Sequence, residues 1–251
     1  MHISSKAFIE SGVLLGDNVR IYGNTKICKN VIIEDNVTIG YPTLDEIKNS
    51  KDFTKYKNTN EYLDFLSTNK TTISSGSHIK ACTTIHGGVV IGENFDCGQN
   101  VVIRDNSIIG KNTFVYPNVL IGCSVIIGNY CRIAGTLCNR TMIGNFTSML
   151  GHTVHEYLIG IPGRIEESPN IGIGVVIGRE SAIIGGLVIG DFTILATNAV
   201  LNKDLPECVL AAGNPARISR KLTDLEIEPI KYYIKEKSQN EITWKNKGEF
   251  E

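Results

Sequence analysis

Large aromatic side chains are scarce in this chain: 7% of its 251 residues, with a single Trp. Few bulky rings are on hand to fill a thick, irregular core. Charge of one sign is missing too, since 25 Lys and Arg stand against 26 Asp and Glu. That balance argues against a nucleic-acid binder, which needs a basic stripe to neutralise phosphates. No apolar run approaches the ~18–20 residues of a membrane span. The opening MHISSKAFIE has neither the charged front nor the apolar centre of a secretory signal, so a cytoplasmic chain with no membrane partner is expected. The seven cysteines are odd in number and form no CxxC pair. A disulfide framework or zinc ribbon is therefore not expected, and reduced thiols are.

What the chain has in quantity is Gly (25 residues) and Ile. Stepping by six from Ile3 lands on Ile9, Leu15, Ile21, Ile27, Ile33 and Ile39. The walk resumes at Ile73 and runs without a slip through Ile79, Ile85, Ile91, Cys97, Ile103, Ile109, Val115, Ile121 and Ile127 to Ile133. After a short slip come Leu137, Ile143 and Met149, then a last run from Ile171 to Leu201. The fourth hexad position carries Gly12, Asn18, Asn24, Asn30 and Asn36, and later Asn94 to Asn118. Gly and Asn tolerate left-handed backbone, so a corner every six residues follows. The fifth position is mostly Val, Thr, Ser or Ala, which suits a second, smaller inward side chain. Three strand-and-corner units close a triangular coil, and the 27 hexads counted this way make about nine coils. An antiparallel sandwich would let the strand interval drift, so a parallel β-helix is the fold this spacing predicts.

Two stretches break the repeat. Residues 41–72 bring Lys48, Lys51, Lys55, Lys57 and Lys70, and residues 152–170 carry two of the five histidines. Long insertions at a coil corner are tolerated and often functional. Residues 1–218 thus read as one β-helix with two insertions, and 219–251 as a C-terminal helical cap and tail. In that tail LTDLEIEPIKYYIKEK reads as a short amphipathic helix covering the open end of the prism.

Hexads of the form Ile-Gly-x-x-small-x, closed by VLAAGNPARISRKL (Val209 to Leu222), resemble the hexapeptide-repeat acyltransferase superfamily. The resemblance covers about two thirds of the chain. It implies an all-β fold, a left-handed parallel β-helix with inserted loops and a short C-terminal helix. It also implies a homotrimer with active sites between subunits and acyl-CoA as co-substrate, with no permanently bound cofactor and no metal. GHTVHE (Gly151 to Glu156) looks like the segment of galactoside and maltose acetyltransferases that holds their catalytic histidine. By that likeness His152 is the candidate base and His155 the second. The CoA contacts of those enzymes fall on Thr197, Asn202, Lys203, Arg217 and Arg220. Val176 replaces their Trp, and Arg179 replaces a small residue, which makes Arg179 a further CoA candidate. The expected Asp and Asn of the galactoside acceptor site are missing from IAGTLCNRTMIGNF. The longer N-terminal half looks more like enzymes that N-acylate amino sugars linked to dTDP or UDP in polysaccharide pathways.

Acyl transfer from a thioester needs a nucleophilic acceptor and a stabilised oxyanion. A sugar hydroxyl needs a positioned base, and an imidazole suits that work at neutral pH. A sugar amine, comparable to an α-amino group of pKa about 7.7–8, is partly neutral already and needs the base less. Backbone N–H groups at Gly185 and Gly186 are candidates for the oxyanion. His86, Asp96 and Asp105 project from coil faces and are candidates to hold the acceptor. The alternatives are O-acetylation of a sugar or xenobiotic hydroxyl, a γ-class carbonic anhydrase, which would need three zinc-binding histidines, and a non-catalytic β-helix scaffold.

Overall fold

The computed structural model describes residues 1–49, 53–155 and 167–245, and side chains as far as residue 238. Short strands, most of two residues, stack in parallel into three flat faces. On the first face His2 pairs with Arg20, Val102 with Leu120, and Ala182 with Val200. A six-stranded sheet, a single bridge at Leu137 and a three-stranded sheet run on as that one face. Among the described residues this makes ten rungs, one more than the hexad count suggests. The extra sides are Thr153, Leu205 and Ala211, which the walk by six passed over because two are not large aliphatics and Leu205 is out of step.

The register explains the regularity. Partners lie 18 residues apart, as in Ile103 and Ile121. At the slip the interval falls by two, with Ile127 facing Ile143 and Ile133 facing Met149. Inward isoleucines such as Ile21, Ile39, Ile85 and Ile103 are fully buried. The smaller inward side chains are hydroxylic as often as apolar, and their hydroxyls are satisfied: Ser107 Oγ donates to the Gly122 carbonyl at 2.8 Å, and Thr147 Oγ1 to that of Gly172 at 2.8 Å. Corner asparagines do adopt left-handed backbone, with φ of 57° at Asn100 and 62° at Asn118.

The first insertion holds two helices, α1 (Leu44–Asn49) and α2 (Thr59–Leu66). Glu46 ties them down. Its Oε2 accepts from Thr43 N at 2.7 Å, in a reciprocal cap with Thr43. Its Oε1 accepts from the N–H groups of Thr68 and Asn69 at 2.8 and 3.1 Å, where the chain rejoins the coil. Most of the second interruption, residues 156–166, lies outside the described residues.

The C-terminal segment differs from the expected end cap. Strand Ala216–Lys221 turns back antiparallel on Val209–Gly213 and pairs with the last strand of the third face. Helix α3 (Asp224–Lys245) is longer than the short helix read from the sequence. It packs along one corner of the coil: Tyr233 meets Phe146 edge-on at 5.8 Å, and the Lys231 ammonium lies 5.8 Å from the Phe192 ring. An apolar corner column, where Tyr130 stacks on Phe146 at 4.9 Å, draws the helix to the side of the prism.

Candidate active site

His152 opens the strand His152–Val154, which pairs with Ala182–Ile184 one rung on. The two-residue slip sits directly beneath it. There the shortened corner passes so close to the Gly151 carbonyl that a Cβ at Gly135 would overlap it. The backbone N–H of the next residue, Thr136, is thereby aimed at the histidine ring and donates to His152 Nδ1 at 3.1 Å. A backbone N–H can only donate, so Nδ1 carries a lone pair and the ring proton sits on Nε2. Nε2 in turn lies 3.5 Å from Oε2 of Glu180. Both side chains reach solvent, at 39% and 64% exposure, so substrate can approach the pair directly. Glu180 is a corner residue with φ of 57°, and sequence reasoning missed it because nothing in the hexad pattern says which corner faces His152. His155 is partly buried at the end of the same segment.

Several CoA candidates gather on the two rungs above. Arg179 adjoins Glu180 at its corner and is exposed, and Thr197 stacks over Gly178 on the next rung and is exposed as well. Asn202 and Lys203 are exposed just beyond the last strand of the first face. Two expectations change. The Gly185 N–H donates to the Val154 carbonyl at 2.9 Å, so it is held by the coil and withdrawn from an oxyanion role. Gly186, packed against Glu167, remains the candidate of that pair. Arg220 points both guanidinium nitrogens at Glu226, at 2.8 and 2.6 Å. That fork anchors the start of α3 and is occupied before any phosphate arrives. Arg217 is exposed, with one guanidinium nitrogen donating to the Ala216 carbonyl at 2.7 Å.

The three acceptor candidates do not join His152. His86 lies four rungs below it on the same face, about 20 Å away at ~4.8 Å per rung. Contrary to the outward placement expected of it, its side chain is only 15% exposed. The first insertion folds over it, with Tyr41 edge-on at 5.2 Å. Nor does Asp105 stand clear of the coil: it is 6% exposed. Its Oδ1 lies 2.9 Å from His86 Nδ1, close enough for an ion pair though off the line of a straight hydrogen bond. Burial pushes the Asp105 carboxyl up, but His86 and the Leu44 N–H together hold it below the usual carboxylate range. Asp96 sits on another face, paired with Lys80 at 2.9 Å.

The cysteines are all free thiols. Burial pushes Cys97 and Cys131 up to about 11, which makes them inert core residues. Among the described residues no three or more His, Cys, Asp or Glu side chains gather into a metal-binding group, and no helix is long and apolar enough to cross a membrane.

Comparison with known proteins bears on this geometry. Residues 6–41 match the family model described as bacterial transferase hexapeptide (six repeats). A putative acetyltransferase, YvoF of Bacillus subtilis, is 36% identical over 31% of this chain and 42% of its own length. Galactoside O-acetyltransferase of Escherichia coli is 36% identical over 36% of this chain and 42% of its own. The dTDP-3-amino-3,6-dideoxy-alpha-D-galactopyranose 3-N-acetyltransferase of Aneurinibacillus thermoaerophilus is 42% identical over 18% of this chain and 23% of its own. The chain thus spans less than half the length of these relatives. The matched hexads, the parallel coil and the relatives agree in the resemblance of this chain to the hexapeptide-repeat acyltransferases.

Proposed function

We propose that the protein is an acyl-CoA-dependent acyltransferase that N-acylates the amino group of a dTDP- or UDP-linked deoxy amino sugar. The observation that carries this reading is the clustering at one end of the coil. The exposed His152–Glu180 pair lies within two rungs of Arg179, Gly186, Thr197, Asn202 and Lys203. Cationic and hydrogen-bonding groups above a reacting pair suit a long, phosphate-bearing acyl donor. His155 is the second titratable group of that cluster. The amine is favoured over a hydroxyl because the His152 ring offers no free lone pair to solvent. With Nδ1 taken by Thr136 N–H and the proton on Nε2, the ring is poorly set to activate an alcohol. His86 and Asp105, about 20 Å down the coil, are read as support for the first insertion.

We read the working unit as a homotrimer with the cluster facing a neighbouring subunit. A native mass near three times the 27.5 kDa of the chain, measured by light scattering, is the expected result. Thiol release from acetyl-CoA and longer acyl-CoAs, measured against dTDP- and UDP-linked amino sugars beside galactosides, maltose and chloramphenicol, tests the reaction. Turnover only with the nucleotide-linked amines is expected. Turnover only with a hydroxyl would move the protein to the O-acetyltransferases, and no CoA binding would leave a β-helix scaffold.

A further inference from the structure

We propose that Glu180, rather than His152, accepts the proton in the transfer reaction, and that His152 positions the Glu180 carboxylate through its Nε2–H. The inference rests on the N-acyltransferase reading above and names the group that carries its chemistry.

The hydrogen-bond pattern leads there. Thr136 N–H donates to His152 Nδ1 at 3.1 Å, and the backbone cannot turn that bond around. The shortened corner at Gly135 holds Thr136 in place. The imidazole therefore faces the substrate side with an N–H, a donor, and has no second lone pair to take a proton. Its neighbour at 3.5 Å is a carboxylate with two acceptor oxygens and 64% exposure. At that distance the two side chains are neighbours without a closed hydrogen bond, so the carboxylate stays open to a ligand.

A carboxylate is far too weak a base to deprotonate a sugar hydroxyl. For an amine it suffices. The amine lone pair forms the N–C bond to the thioester carbonyl carbon, and the C=O π electrons move onto oxygen. The nitrogen, now positively charged and strongly acidic, passes its proton to Glu180 Oε2. Collapse of the tetrahedral centre re-forms C=O and breaks C–S. The leaving thiolate takes the proton back from Glu180, giving the amide, free CoA thiol and the starting carboxylate. Before reaction the same carboxylate attracts the ammonium form of the acceptor, so one residue selects an amine and handles its proton.

The test is a set of variants assayed with acetyl-CoA and whichever nucleotide-linked amine the wild type acylates. Wild-type turnover on an amine comes first, because its absence would sink the functional reading itself. Glu180→Gln keeps size and shape at an exposed corner, so the fold is expected to hold. We expect it to lower kcat by about 100-fold or more with the KM for acetyl-CoA unchanged, and Glu180→Asp to recover part of the loss. His152→Gln can still accept from Thr136 N–H and donate to Glu180, and should stay within about tenfold of wild type, whereas His152→Ala should not. A Glu180→Gln enzyme within threefold of wild type would overturn the proposal. So would a His152→Gln enzyme as inactive as His152→Ala, which would return the base to the imidazole.

Discussion

Gly135 shows how one residue sets the chemistry of another. The coil beneath His152 is two residues short, and the tightened corner leaves no room for a Cβ beside the Gly151 carbonyl. Gly135→Ala is expected to lower stability by ~1–3 kcal/mol through overpacking, read as a shift in the denaturant midpoint. It should also move Thr136 N–H away from His152 Nδ1, so that ¹⁵N-resolved NMR of the ring would show the tautomer released. The slip at Leu137 was visible in the sequence, but its effect was not. A four-residue step says that a corner is tight and is silent on which side chain the freed N–H will meet. Glu180 escaped for the same reason. His86 was legible as a residue following an inward Ile, yet its cover depends on where an insertion lands, and no periodicity encodes that.

At the scale of elements, the strands were the easiest part to read, because an inward aliphatic at every sixth residue and a left-handed corner between them leave few alternatives. The helices of the first insertion were passed over, although each announces itself. Thr43 with Glu46, and Asn58 with Glu61, are N-caps with an acidic residue three positions on. Helix α3 is legible in the sequence as the C-terminal helix, but its packing along the side of the coil is not. Its start is fixed by Thr223 and Glu226, whose Oε2 accepts from Thr223 N at 2.9 Å while Arg220 grips the same carboxylate from the hairpin. The Arg220 guanidinium, aided by Thr223, holds Glu226 down at about 2, against an ordinary 4.5. A depressed carboxyl contributes stability that is complete above its unfolded pKa and is lost as pH falls through the folded one. The anchoring of α3 should therefore be intact at neutral pH and weaken between about pH 4.5 and 2. Following the helix by far-UV circular dichroism through that window checks it. Glu226→Gln should remove that step and leave the coil unchanged, and a step that survives the substitution would place its origin elsewhere.

Within the described coil each rung pairs with the rungs above and below, so its stability accumulates roughly as a sum of neighbouring interfaces. Ile103, fully buried in mid-coil between Ile85 and Ile121, is a fair probe of one such interface. Ile103→Ala should cost ~2–5 kcal/mol, and hydrogen exchange should locate the loss in adjacent rungs rather than spreading it to the last ones. A uniform loss along the coil would mean the solenoid melts as a single unit.

The constant spacing of the rungs has a consequence for reach. Such a coil is a ruler, graduated in steps of ~4.8 Å, and any two groups on one face are separated by a whole number of graduations. The rise from the Glu180 corner to Lys203 is set by rung count, and on the acyltransferase reading it sets how long a flexible arm must be to be held at one end and react at the other. Splicing one 18-residue rung between them would leave each group's own neighbours intact and yet set the scale wrong. On that reading, selection among donors of different length would reside less in any one side chain than in how many times the chain goes round.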